Sequence, residues 1–179
     1  MTVVDIDFDR AAVMRMRMAM LRMPQMVHKA QAAAINRTLT GLRTQVSKTV
    51  RKNYVISAAD IKKAISLQKA KAASPSGTML VKGKPVRLQK FKVKDSKRGP
   101  MRVKVKKSQS PQPVKGLFHR GEIFMHRRQK ARYPLKSPYG PSVPQMTENP
   151  AILDELAEFA RVRLNERLIH EIDYRLGRV

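Results

Sequence analysis

Between Arg10 and Thr147 the sequence holds only three acids, Asp60, Asp95 and Glu122, in a chain whose formal net charge is +25. A stretch so cationic cannot neutralise itself with internal ion pairs, so apolar patterning has to hold it folded. Its surface repels itself in water and attracts polyanions, which points to nucleic acid, an acidic protein surface, or both, ahead of anionic membrane. The sign becomes mixed near the C-terminus, where Asp154, Glu155, Glu158, Glu166, Glu171 and Asp173 fall on one helical segment.

The apolar patterning is clearest from Ala32 to Tyr54, which reads as part of a single helix with two faces. Val27, Ala34, Leu39, Leu42, Val46 and Val50 recur at helical spacing as a stripe suited to packing. Asn36, Thr40, Arg43, Ser47 and Arg51 step along the other side. An ordinary surface helix carries such a polar face too, so periodicity alone does not make it a contact. Pro24 opens or kinks this helix. Upstream, Ala11 to Met23 is rich in helix formers and in adaptable methionines. Met1 to Arg10 reads as strand-like, with Val4, Ile6 and Phe8 alternating against Asp5, Asp7 and Asp9, an acidic strand suited to basic strands of the middle or of a neighbour.

After Tyr54, Ser57-Ala-Ala-Asp60 is a capping-box variant that predicts a short second helix to about Ile65. The first helix is too long for a helix-turn-helix, and no compact third helix follows. From Ala70 the character changes. Ser74-Pro-Ser-Gly77 is a turn, and β-prone pieces follow at Thr78–Val81, Val86–Val93, Met101–Lys106 and Gly121–His126. Val86 and Leu88 share one alternation phase and Phe91 and Val93 the other, which predicts a bulge near Gln89 or Lys90. Val103 and Val105 alternate with Arg102, Lys104 and Lys106, so one face packs and the other is purely cationic. The separating turns favour an antiparallel meander or two hairpins. Residues 131–149 are rich in Pro, Ser, Gly and Tyr and read as an irregular loop or arm. Asn149 and Pro150 then cap and open a last helix with Leu153, Leu156, Ala160, Leu164, Leu168 and Ile172 as its stripe, able to dock along the first.

The predicted architecture is α+β: a long N-terminal helix, a short second helix, a basic antiparallel β-rich middle and a long C-terminal helix. It is laid out as one domain over 1–179, with an arm or helix at 1–23, a helical region at 24–70, the β-rich region at 78–127, the Pro-rich loop at 131–149 and the last helix at 150–177. A length of 179 residues suits one domain with a real core. With 5% aromatic residues and no Trp that core is modest, so neighbouring subunits are expected to supply part of the stability. The absence of cysteine rules out disulfides and thiolate zinc sites and fits assembly in a reducing cytoplasm. No apolar run approaches the roughly 20 residues needed to span a bilayer, and the acidic start argues against a secretory signal.

Catalysis needs convergent groups, and none stand at a telling spacing. Glu122 sits alone amid cations, where a salt-bridged structural role outweighs general-acid chemistry. His119 and His126 share a hairpin-sized segment without acid or thiolate partners, a poor metal site. His28 and His170 read as helix surface or packing residues. There is no phosphate loop and no nucleophile elbow. The expectation is no enzyme, no cofactor and no metal. The basic run from Lys82 to Lys136 suits phosphates better than bases, because Phe91, Phe118 and Phe124 fit a core more than a stacking platform. A merely solvated cationic face is the plain alternative.

Two stretches carry a family resemblance. Ala34-Ile-Asn-Arg-Thr38, Arg43-Thr44, Val50-Arg-Lys-Asn-Tyr54 and Ile56-Ser-Ala-Ala-Asp60-Ile-Lys62 resemble the opening of the minor tail protein Z family of long-tailed bacteriophages. Leu135-Lys-Ser-Pro-Tyr-Gly-Pro-Ser-Val-Pro-Gln-Met146 resembles that family's later signature, a Tyr-Gly-Pro-Ser loop before a final helix. The similarity runs from about residue 25, loosely in the basic middle and hardly at all over Met1 to Met23.

The resemblance implies a structural virion protein, assembled in the host cytoplasm, that acts in tail completion at the head-proximal tail end or neck. It implies a homo-oligomeric ring around the DNA channel, sixfold by tail symmetry in the resembling systems. Tail tube, tail terminator or neck proteins are the implied neighbours, and the DNA phosphate backbone a non-specific contact. In that setting Asn36, Arg37, Arg43 and Arg51 form a subunit or partner contact. Tyr139, Gly140, Pro141 and Ser142 shape a second contact in the signature loop, with Gly140 relaxing the backbone and the prolines stiffening it. Arg102, Lys104 and Lys106 face DNA. The alternatives are a free, non-specific nucleic-acid-binding protein and a transient assembly factor.

Overall fold

The computed structural model describes residues 9–22, 24–95, 100–121, 123–127, 129 and 131–176. In chain order the elements are α1 (Arg10–Arg22), α2 (Pro24–Asn53), α3 (Ala58–Ala64), β1 (Ile65–Gln68), β2 (Thr78–Val81), β3 (Lys92–Lys94), β4 (Arg102–Lys104), β5 (Gln112–Pro113), β6 (Leu117–Arg120), β7 (Ile123–Arg127), β8 (Leu135–Lys136), α4 (Val143–Thr147) and α5 (Pro150–Leu176). This is the predicted α+β arrangement, with a long helix towards each end and antiparallel strands between. Where the sequence suggested one domain, contacts divide the chain into two compact units, one of residues 1–46, 65–81 and 148–179 and the other of 47–64 and 82–147. The strand expected at Val4, Ile6 and Phe8 and the lone Glu122 lie outside the described residues.

The first unit is built on the predicted stripes. Val27, Ala30 and Ala34 of α2 form one buried cluster with Leu164, Leu168 and Ile172 of α5. The two helices run antiparallel, with Arg175 Nη2 donating to the Lys29 carbonyl at one end and Gln45 Nε2 to Glu155 Oε1 at the other. Gly41 lets the Phe159 ring approach to 3.8 Å of where a Cβ would stand. The cap of α5 is as predicted, with Asn149 Oδ1 accepting from the Ala151 amide at 3.2 Å. α1 lies along α5 in parallel, held by the Asp9 amide donating to Asn165 Oδ1 and by an Arg15–Asp173 ion pair at 3.1 Å.

One correction falls here: the helical region expected to reach residue 70 stops at Ala64. Ile65-Ser-Leu-Gln68 alternates buried and exposed and pairs with β2, Ile65 opposite Val81 and Gln68 opposite Thr78. Cross-strand pairing overrides the local helical tendency. The hairpin is fastened to α2 by Asn36, whose amide nitrogen donates to the Ala70 carbonyl at 2.9 Å and whose oxygen accepts from the Ala70 amide at 2.8 Å.

The second unit begins inside α2, where Thr49 and Val50 are buried. Ser47, expected on the polar face, is buried as well, at 5% exposure, so the helix is covered over a wider arc than its apolar stripe indicates. The Val55 amide donates to the Val105 carbonyl at 2.9 Å and the Lys107 amide to the Asn53 carbonyl at 2.8 Å, tying the end of α2 to the strand after β4. α3 opens as predicted, with Ser57 Oγ accepting from the Asp60 amide at 3.1 Å and donating to Asp60 Oδ2 at 2.8 Å. Two three-stranded antiparallel meanders follow, β3-β4-β5 and β6-β7-β8. The expected bulge near Gln89 is a 3-10 turn at Leu88–Lys90, which brings both Leu88 and Phe91 inside despite their opposite phases. The loop expected over 131–149 is more regular than its composition suggested. It contains β8 and α4, the latter capped reciprocally: Ser142 N and Oγ donate to Gln145 Oε1, and the Gln145 amide donates back to Ser142 Oγ.

Candidate nucleic-acid interface

The second unit holds 24 of the 38 Lys and Arg residues against three acids, so +21 of the formal +25 belongs to it. The two acids described there are already engaged. Asp60 pairs with Lys90, whose hydrogen bond holds the carboxyl below its ordinary value against the partial burial that pushes it up. Asp95 Oδ2 lies 3.5 Å from His119 Nε2, whose ring leans on Phe124 with centroids 4.3 Å apart. This corrects the expectation that His119 has no acid partner: folding brings Asp95 to it. Among the described residues no group of three or more His, Cys, Asp or Glu could hold a metal ion.

The strand register concentrates the cations. In β3 and β4, Lys92 stands opposite Lys104, Val93 opposite Val103, and Lys94 opposite Arg102. Directly opposed residues of an antiparallel pair share a face, so Lys92, Lys94, Arg102 and Lys104 crowd one side while the valines take the other. Val103 is 5% exposed, Lys92, Lys94 and Arg102 are exposed and Lys104 is half-buried. Like charges directly opposite one another destabilise a strand pair, and a phosphate backbone alongside would relieve that repulsion. Lys106 is exposed and bridges to Tyr54 through the backbone beyond β4. Lys92 and Lys94 were missed from sequence, although Lys92-Val-Lys94 repeats the alternation of Arg102-Val-Lys104 on the other side of Gly99-Pro100.

Phe91 and Phe118 serve the fold. Phe91 is buried, and the Arg127 guanidinium lies 5.3 Å from the centroid of the Phe118 ring. In the signature loop the Leu88 amide donates to the Pro138 carbonyl and the Gly140 amide to the Val86 carbonyl, so Tyr139 is bridged to Arg87 and stays 54% exposed. Gly140 supplies room rather than a left-handed backbone. A Cβ there would fall 2.7 Å from the Phe91 ring. Pro141 is half-buried, and Ser142 is the buried cap of α4.

The other residues expected at a contact are distributed along α2. Asn36 holds the β1–β2 turn, and Arg37 Nε reaches Glu171 Oε1 at 3.0 Å, both within the first unit. Arg43 is half-buried in that unit, and Arg51 is exposed on the last turn of α2 in the second. No helix among the described residues is long and apolar enough to cross a membrane.

In comparison with known proteins, the family model described as prophage minor tail protein Z (GPZ) matches residues 20–179. No curated protein and no solved structure matches the chain.

Proposed function

The chain belongs to the prophage minor tail protein Z family, structural components of phage tails, and on that premise we propose that it completes the tail at its head-proximal end or neck. In this reading a homo-oligomeric ring, sixfold by tail symmetry, borders the DNA channel with its basic unit and meets tail tube, terminator or neck proteins. The observation that supports it is the charge partition, with +21 gathered in one unit and four cations opposed across β3 and β4. Contacts of that kind hold phosphates without reading sequence and exchange readily, so DNA is guided and still passes.

Two measurements test it. A label on the C terminus, imaged in purified particles, is expected at the junction of tail and head. Absence from finished particles refutes a virion role and favours a transient factor or a free nucleic-acid-binding protein. On the isolated protein, Arg102→Gln, Lys104→Gln and Lys106→Gln together should reduce the slope of log affinity against log salt by about 2 to 3, since each phosphate contact contributes ~0.9. An unchanged slope refutes the assignment of these residues to DNA.

A further inference from the structure

The second unit contains a groove of about 550 Å³ lined by Leu88, Val103, Val105, Val114, His126 and Tyr139, with Gln109 and Gln112 also on its wall. It is an apolar recess in the most cationic part of the chain. The outer strand of its sheet, β5, carries Pro113, and Pro111 precedes it, so this edge lacks the N–H donors needed to add another strand. An occupant is therefore gripped through side chains. It needs spaced apolar groups for the groove and negative charge for the surroundings.

The chain itself contains a segment of that chemistry. Val4, Ile6 and Phe8 alternate with Asp5, Asp7 and Asp9. In extended backbone such alternate residues point to one side about 7 Å apart, which separates an apolar edge from an acidic one. The helix that follows also has an uncovered apolar side. α1 exposes Met14 by 72%, Met18 by 60% and Leu21 by 79%, at i, i+4 and i+7 spacing, immediately behind the acidic residues. An exposed apolar stripe of this kind is the signature of a surface meant to be covered.

We propose that residues 2–8 of one subunit dock into the groove of a neighbouring copy, with Val4, Ile6 and Phe8 inside and Asp5 and Asp7 towards the cationic unit, while Asp9 stays anchored on α5 of its own chain. The proposal rests on the homo-oligomeric reading above and supplies its contact. Donor and acceptor are different surfaces, so the contact is head-to-tail, the kind that closes into rings. It also joins opposite charges in a chain that otherwise repels its own copies.

The test uses two full-length variants. Val4→Ser, Ile6→Ser and Phe8→Ser silence the donor. Gln109→Glu and Gln112→Glu, both at exposed positions, place carboxylates where aspartates would have to arrive. In sedimentation velocity the wild type should form species larger than dimers, and each variant alone should associate about a hundredfold more weakly or worse. Mixed in equal amounts, the two variants should pair one to one and stop there, because one intact donor then meets one intact acceptor. Variants that assemble as the wild type does, or a mixture that forms no pairs, overturn the proposal. A benzophenone side chain at position 8 should crosslink to residues 103–114 of another copy, and adducts within one copy or outside the groove overturn it too. Wild-type oligomers crosslinked elsewhere would sink this contact and leave the ring, whereas absence from particles would sink the tail reading and leave the contact.

Discussion

Glu171 is 2% exposed, yet it is a carboxylate on a helix face that packs. Its oxygens are held by Arg37 Nε at 3.0 Å and by Arg175 Nη2 at 3.3 Å. Burying one charge costs several kcal/mol, and the loss is tolerable only while the opposing charges stay in place. Arg37 is half exposed, at 54% of its side chain, and Arg175 remains when it is removed. Arg37→Met should therefore cost only about 1–2 kcal/mol after allowance for solvent screening. Arg37→Met with Arg175→Met strands the carboxylate and should cost about 3–5 kcal/mol. The diagnostic step is Glu171→Gln, which should destabilise the intact chain but stabilise the double variant by about 1–2 kcal/mol, a reversal of sign. Urea unfolding gives the totals, and hydrogen exchange at α5 amides isolates the first unit should the two units melt separately. If Glu171→Gln destabilises both backgrounds equally, the arginines do not compensate this charge and the reasoning fails. The same variants decide what Arg37 is for, since loss of assembly with unchanged stability would favour the subunit contact expected from sequence over an internal clamp.

Asn36→Ala removes both side-chain bonds to Ala70 and should cost about 2 kcal/mol, with the Ala70 amide losing its exchange protection first; protection equal to wild type would refute the clamp. Gly140→Ala should cost about 1–3 kcal/mol by driving a methyl into the Phe91 ring, and Phe91→Leu should recover part of that loss; a Gly140→Ala chain as stable as wild type would show that the loop can shift. Lys90 lowers the Asp60 carboxyl below its ordinary value, so this pair's contribution is complete above the unfolded carboxylate value of about 3.9 and is lost as pH falls through the lower folded value. Asp60→Asn should consequently flatten the acid limb of a stability profile below about pH 4 and leave neutral pH dependence unchanged, whereas an unaltered acid limb would remove Asp60 from the account.

The long helices were legible because a stripe repeated over about five turns or more outweighs any local ambiguity. Val27, Ala34, Val46 and Val50 on α2 and Leu156 to Ile172 on α5 are buried where their spacing put them. Short elements depend on partners distant in sequence. Ile65-Ser-Leu-Gln68 is too brief to declare itself a strand until β2 lies beside it, and Leu135-Lys136 needs β7. The helix at Val143–Thr147 had a readable sign in Ser142-x-x-Gln145, a capping box hidden by the prolines around it. The opposed cations depended on register. Arg102 and Lys104 could be assigned to one face from alternation alone, but only the pairing of β3 with β4 puts Lys92 and Lys94 opposite them.

The acid gap from Arg10 to Thr147 was plain in the sequence, but which cations the acids of α5 would pair with was not. Asp173 pairs with Arg15, Glu171 with Arg37 and Arg175, Glu158 with Arg161 and Glu166 with Arg163, each of these pairs within the first unit. The second unit's own sequence holds three acids, Asp60, Asp95 and Glu122, against 24 cations, four of which are opposed across one strand pair. A folded unit so unbalanced is most stable beside a polyanion, so its binding and its folding are linked: DNA that engages it should raise its melting temperature, and added salt should erase that increment. A solvated face with no partner would show the opposite salt dependence, because screening relieves its self-repulsion and stabilises the free unit.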